Sequence, residues 1–182
     1  MIFLLARHCA TDWNLNGRIQ GQTDNKLNDQ GREEARKLRK KLMSFSISKI
    51  ISSDLVRAKQ TVEIINDCFS VPIYFEKGLR ECHFGLIEGL TLNQAVETFG
   101  QKVLTHFSRN YISYDLTEYG GESKDMVLKR HLEIFKKHAK TLNHTEQVLI
   151  VGHGRALATL LAYFGQDPGI KRVEIRCIKY PL

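Results

Sequence analysis

The sequence has no Cys-x-x-Cys pair; Cys9, Cys68, Cys82 and Cys177 stand far apart and follow no secretory leader. That spacing gives a disulfide framework no support and predicts a reduced, cytoplasmic setting. Long hydrophobic runs are missing as well, which argues against a membrane partner. Met1 to Ala6 is apolar too briefly for a signal peptide, and Arg7 with His8 interrupts it. Internal repeats and low-complexity linkers are absent too. The 182 residues are therefore expected to form one domain, 1–182, with a core large enough to need no staples.

Acidic residues are outnumbered, 20 Asp and Glu against 27 Lys and Arg, and the net charge of +7 favours anionic partners. Nucleic acid is not expected among them. A nucleic-acid surface needs basic residues on one face with interleaved aromatics, whereas the densest basic run, Arg32 to Lys41, carries Glu33 and Glu34 and reads as a solvated helix face. A composition 42% hydrophobic and 26% charged excludes a disordered tail or a fibre.

Ile2 to Ala6 is a short continuous apolar run, the pattern of a strand buried on both faces, and His8 to Asp24 after it reads as a loop. Asn28 is positioned to cap a helix reaching about Phe45, with Ala35, Leu38, Leu42 and Phe45 at helical spacing. Lys49 to Ser52 predicts a strand, Ser53 a cap for a helix to Phe69, and Val71 to Phe75 a third strand. A glycine-bearing loop, Gly78 to Gly89, follows, then helices over Thr91–Phe99 and Glu122–Leu142 around a less legible insert, Gln101 to Gly121. Gln147 to Val151 predicts a strand, Gly154 to Phe164 a helix and Arg172 to Ile178 a closing strand. Alternation of this kind implies an α/β fold: a three-layer α/β/α sandwich with a mostly parallel central sheet.

In such sheets ligands bind beyond the carboxyl ends of the strands. Arg7 and His8 follow the first strand, Ser53 to Arg57 the second, and Gly152-His153-Gly154 the strand at 147–151. Two arginines, two histidines and two helix N-termini thus come to one edge, an inventory suited to a phosphate. Taken singly, His8 or His153 reads as a hydrogen-bonded structural histidine and Arg57 as a solvated helix residue; their joint position reads as a site. Phosphoryl transfer needs an in-line nucleophile and a proton donor for the leaving oxygen. A neutral imidazole suits the first role, and Glu81, in the loop after the third strand, is the carboxylate best placed for the second.

The segments "LARHCATDWN", "GRIQG", "SSDLVRAKQT", "LRECHFGLIEG", "GGES" and "VGHG" together resemble the histidine phosphatase superfamily, also called phosphoglycerate mutase-like, over nearly the whole chain. The resemblance implies that His8 becomes a phosphohistidine, that Arg7, Arg57 and His153 hold the phosphoryl group, and that Glu81 is the acid/base. It implies substrate binding by Asn14 and Gln20, with Gly21 and Gly154 beside them, and it implies neither cofactor nor metal. Two features depart from the family pattern. Cys9 stands where glycine usually follows the nucleophilic histidine, and the chain after Val173 lacks the usual small polar pattern and any long tail. The Cys9 thiol either faces the phosphate, in electropositive surroundings that would make it reactive, or faces the interior.

Three other constellations compete. Gly152-x-Gly154 with Glu174 twenty residues beyond has the outline of a dinucleotide fingerprint, but Leu157 takes the third glycine's place. His8-Cys9, Cys82-His83 and His153 lack zinc-ligand spacing. A cysteine phosphatase needs an arginine soon after its cysteine, where this chain has Leu15.

The expected activity is hydrolysis of a small phosphorylated metabolite through a phosphohistidine. The alternatives are a phosphoglycerate mutase-type isomerase and a phosphate-binding module without turnover. The family's mutases are longer, with a larger central insert and a C-terminal tail, and a less covered intermediate is more open to water. Substrate choice is expected to lie in the insert from Gln101 to Gly121; oligomeric state cannot be read from the sequence.

Overall fold

A strand buried on both faces must divide its side chains between two cores, and β1 (Ile2–Arg7) does so in the computed structural model, which describes residues 1–107, 113–143 and 145–180. Phe3 and Leu5 pack to one side with Phe135, Leu157, Leu160 and Leu161, while Leu4 and Ala6 pack to the other with Ala35, Leu38, Ala58 and Val62. The four strand residues have no exposed surface, and each buried Phe or Leu contributes roughly 1.5–3 kcal/mol. The first core is covered by α5 (Lys124–Ala139) and α6 (Gly154–Tyr163), the second by α2 (Asp29–Leu42) and α3 (Val56–Asn66). This is the three-layer α/β/α arrangement expected.

Among the described residues β2 (Ile47–Ser53), β3 (Ile73–Glu76), β4 (Gln147–Gly152) and β5 (Ile175–Lys179) complete one sheet of order β3-β2-β4-β1-β5. Strands β1 to β4 pair in parallel and β5 runs antiparallel to β1. From β1 the chain leaves through α2 toward β2, and from the adjacent β4 it leaves through α6 on the other face toward β5. The carboxyl ends of β1 and β4 therefore flank a topological switch point, the place where such sheets open a crevice. His8 follows one of these ends and His153 the other.

Several boundaries differ from the sequence pattern. Ser53 does not cap the second helix: it remains in β2 with its hydroxyl buried, and α3 begins at Val56 after Leu55. The cap comes from far upstream, where Asp24 Oδ1 accepts the Val56 N–H at 2.7 Å. Asn28 does cap α2, accepting from Gly31, but the helix ends at Leu42 and Phe45 packs beyond it. The segment after His8 contains one helical turn, α1 (Asp12–Leu15), closed by a Thr11–Asn14 capping box.

The less legible insert builds a third core. Helix α4 (Leu92–Phe99) and 3₁₀ turns at Gln101–Phe107 and Thr117–Tyr119 gather Phe84, Ile87, Val103, Leu116 and Tyr119 with Ala156 of α6. Residues 108–112 of that insert lie outside the described residues. No helix among the described residues is long and apolar enough to cross a membrane.

Candidate active site

His8 leaves β1 with its N–H donated to Gly152 O of β4 at 2.9 Å, which locks the two strand ends together. Its ring Nδ1 lies 2.7 Å from Cys9 O. A carbonyl only accepts, so Nδ1 carries the proton and Nε2 presents a lone pair. Burial, then the charges of Arg57 and Arg7, holds the imidazole pKa well below its usual value, so the ring is neutral at pH 7. A neutral imidazole with a fixed tautomer is a nucleophile in its reactive form.

His153 faces it, with ring centroids 5.1 Å apart. Arg57 Nε donates to His153 Nδ1 at 3.2 Å, so in this second ring the proton sits on Nε2. That Nε2 is buried and has no hydrogen-bond partner, a donor left for a ligand. Burial, then Arg57 and His8, keeps this ring neutral too.

Arg57 has no exposed surface, although a helix position had suggested solvation. Its Nη1 donates to Thr23 O at 2.8 Å and its Nη2 to Gly21 O at 2.6 Å, so three of its five N–H groups fix its orientation and two remain. Burial brings its pKa down to about 10, which leaves it charged. Gly21 thus enters the site by holding Arg57, and a Cβ there would lie 2.0 Å from the Glu88 carboxylate. Glu88 knits this loop to the later one by accepting the N–H groups of Gln22, Thr23 and Phe84.

Arg7 lies across Gly154, the first residue of α6, so closely that a Cβ there would come within 3.1 Å of the guanidinium carbon. Glu81 caps the same helix. Its Oε1 accepts Cys82 N and Ala156 N, each at 2.9 Å, and its Oε2 accepts Arg155 N at 3.1 Å. The loop bearing it is held from α5 by Arg130, which donates to Gly78 O, Arg80 O and Glu81 O. Gln20 is buried with Oε1 unpartnered. Asn14 Oδ1 is engaged by Thr11, so any contact of its side chain with a ligand falls to Nδ2.

The two orientations of Cys9 resolve in favour of the interior. The residue has no exposed surface, packs with Leu38, Ala58 and Val62, and gives its N–H to Thr61 Oγ1 at 3.2 Å. Burial and the nearby Glu34 carboxylate push the thiol up to about 12.

Four residues that the sequence reading did not place at the site support this constellation. Arg130 and Glu88 hold the loops. Arg155 sits 4.7–4.9 Å from the ring centres of Phe84, Phe107 and Tyr114 and donates to His106 O, pinning the insert onto α6. Glu34, read as part of a solvated face, instead turns inward to accept the Ala10 N–H. Arg155 is buried and the other three are partly buried; a hydrophobic pattern flags apolar faces only, and no sequence signal marks these charged side chains as turned inward.

The family model described as "Histidine phosphatase superfamily (branch 1)" matches residues 3–176. Phosphoglycerate mutase-like protein 4 of Arabidopsis thaliana is 32% identical over 94% of this chain and 73% of its own length. The uncharacterized phosphatase PhoE of Bacillus subtilis is 31% identical over 94% of this chain and 81% of its own. Among solved structures, Bacillus stearothermophilus YhfR superposes with a TM-score of 0.86 at 31% identity, covering 99% of this chain and 91% of that one. A mycobacterial glucosyl-3-phosphoglycerate phosphatase complexed with VO3 gives a TM-score of 0.86 at 26% identity, covering 97% and 91%.

Proposed function

The chain belongs to the histidine phosphatase superfamily, and from that premise we propose that it hydrolyses a small phosphate monoester in two steps through a phosphohistidine at His8. The observation that carries the reading is the opposed pair of tautomers. His8 presents a lone pair at Nε2, and His153 presents a buried N–H at its own Nε2.

In the first step His8 Nε2 attacks phosphorus, the N–P bond forms and the P–O ester bond breaks. The departing oxygen takes a proton from Glu81 Oε2, the carboxyl oxygen with only one backbone donor on it. Arg57, Arg7, the His153 N–H and the N-terminus of α6 neutralise the phosphoryl oxygens. In the second step water attacks phosphorus and gives a proton to Glu81, and phosphate leaves as His8 regains its lone pair. Charge that a metal would supply elsewhere comes here from the two guanidinium groups. A phosphate-shaped oxyanion such as the VO3 bound to the mycobacterial relative is a natural inhibitor to try.

The test is turnover of p-nitrophenyl phosphate beside 2- and 3-phosphoglycerate, with the phosphoenzyme trapped by rapid acid-free quenching. Inorganic phosphate released from p-nitrophenyl phosphate, and a phosphoenzyme lost in His8→Ala, are expected. Interconversion of the phosphoglycerates without release of phosphate would make the chain a mutase. Silence on all three would leave a binding module.

A further inference from the structure

The peptide unit that orients His8 is itself gripped from its other side. Its carbonyl, Cys9 O, takes the His8 Nδ1–H at 2.7 Å, and its N–H, on Ala10, is given to Glu34 Oε2 at 2.9 Å. Glu34 is held in turn by Arg172, whose Nε lies 3.1 and 3.0 Å from the two carboxylate oxygens, and by Gln30 Nε2 on Oε1 at 3.1 Å. Helix α2 comes this close to the loop because residue 31 is glycine: a Cβ there would lie 2.1 Å from Ala10 O. Arg172 arrives from the segment before β5, where the adjacent Val173 holds a φ of 61°. A carboxylate, a peptide and an imidazole thus form a continuous hydrogen-bonded line, with the negative charge at one end and the reactive nitrogen at the other.

We propose that Glu34, fixed by Arg172, is a positioning residue for His8 that acts through the Cys9–Ala10 peptide. The carboxylate pulls on the peptide N–H, the carbonyl oxygen at the other end becomes a stronger acceptor, and the proton is kept on Nδ1 with the ring held in one plane. Hydrogen bonds in such a line polarise one another. Carboxylates that bond a histidine directly fix its tautomer in the same way. Here a peptide group stands between them, so the charge stays about one peptide farther from the phosphate while its orienting effect is transmitted. The inference rests on His8 being the nucleophile.

The experiment compares Glu34→Ala, Glu34→Gln and Arg172→Gln by steady-state hydrolysis of p-nitrophenyl phosphate. The tautomer of His8 is read in ¹⁵N-labelled protein from the shifts of its two ring nitrogens. In Glu34→Ala, kcat should fall roughly 10- to 100-fold, the scale of a lost orientation, with KM changed less than about threefold, and the His8 ring should populate both tautomers. Glu34→Gln, whose amide oxygen still accepts the Ala10 N–H, should recover most of the rate and the single tautomer. Arg172→Gln should shift both readouts in the same direction by less, and it stands in if Glu34→Ala does not fold. Wild-type kcat in folded Glu34→Ala, a rate loss with an unchanged tautomer, or an Arg172→Gln identical to wild type would each overturn the proposal. Were His8→Ala still active, the nucleophile assignment itself would fall, whatever Glu34 does.

Discussion

Arg57 donates its Nε–H to Nδ1 of His153 across a 3.2 Å contact, and this one bond decides which nitrogen of the second imidazole carries the unpartnered N–H. The same guanidinium reaches two loop carbonyls, Thr23 O and Gly21 O, so it sets a tautomer and holds a loop at once. A lysine keeps the charge but gathers its donors on one nitrogen, which cannot reach the three partners that Nε, Nη1 and Nη2 serve separately. Arg57→Lys should therefore lower kcat/KM for p-nitrophenyl phosphate by roughly 100-fold or more, as expected when several charge-assisted bonds of about 1.5–3 kcal/mol each are disturbed. A variant within threefold of wild type in a steady-state assay would show that charge alone suffices at this position.

Glu81 has two separable jobs. Its carboxylate caps α6 through Arg155 N and Ala156 N, and the proposed chemistry also gives it a proton to lend. Glu81→Gln keeps an acceptor for the helix and loses the acid. General acid catalysis is worth roughly 10²–10⁴-fold, and less where the leaving group is already a stable anion. The rate for an alkyl phosphate should fall far more than that for p-nitrophenyl phosphate. Equal losses on the two substrates would leave Glu81 only as the helix cap.

Among the described residues, His8, His153 and His131 are buried and held neutral, the last pushed down to about 3 by burial and then by Arg130. Their folded pKa values lie below the unfolded value near 6.5, so the unfolded chain binds protons that the native state refuses. Stability is then complete above pH 6.5 and declines as pH falls below it, by up to about 1.4 kcal/mol per pH unit for each group. For His131 the decline continues to about pH 3. Urea unfolding at pH 7.5, 6.5 and 5.5 should show this slope, and His131→Leu should flatten it by about one proton. An unchanged slope in that variant would mean that His131 titrates as it does in the unfolded chain.

The parts legible in sequence were those that repeat along the chain. The apolar run of β1, the helical spacing of Ala35, Leu38 and Leu42, and the placement of Arg7, His8 and His153 at strand ends follow from periodicity and from the rule about carboxyl ends. What was not legible depends on partners distant in sequence. Asp24 caps α3 across 32 positions, and Arg172 reaches Glu34 across 138. Glu34 looked solvated because it sits in a charged run, and only the glycine at 31 lets that face of α2 approach the loop. Arg155 looked like any charged helix residue until the insert folded three rings around it.

Cys9 stands next to the proposed nucleophile and is nevertheless expected to be inert. Thiolate is the reactive form, and the surroundings suppress it. The residue has no exposed surface, and burial, then the Glu34 carboxylate, pushes the thiol up to about 12. Iodoacetamide on the folded protein should label Cys68 and Cys177, which are exposed, leave Cys9 unlabelled by peptide mass mapping, and leave any p-nitrophenyl phosphate turnover intact with or without inorganic phosphate. Substitution should then show a packing residue. Cys9→Ser places a hydroxyl in a core of Leu38, Ala58 and Val62 and should cost about 1–3 kcal/mol of stability, with kcat nearly unchanged. Phosphate-protected inactivation by peroxide, abolished in Cys9→Gly, would reverse the assignment, since it needs a thiol in the same space as the phosphate.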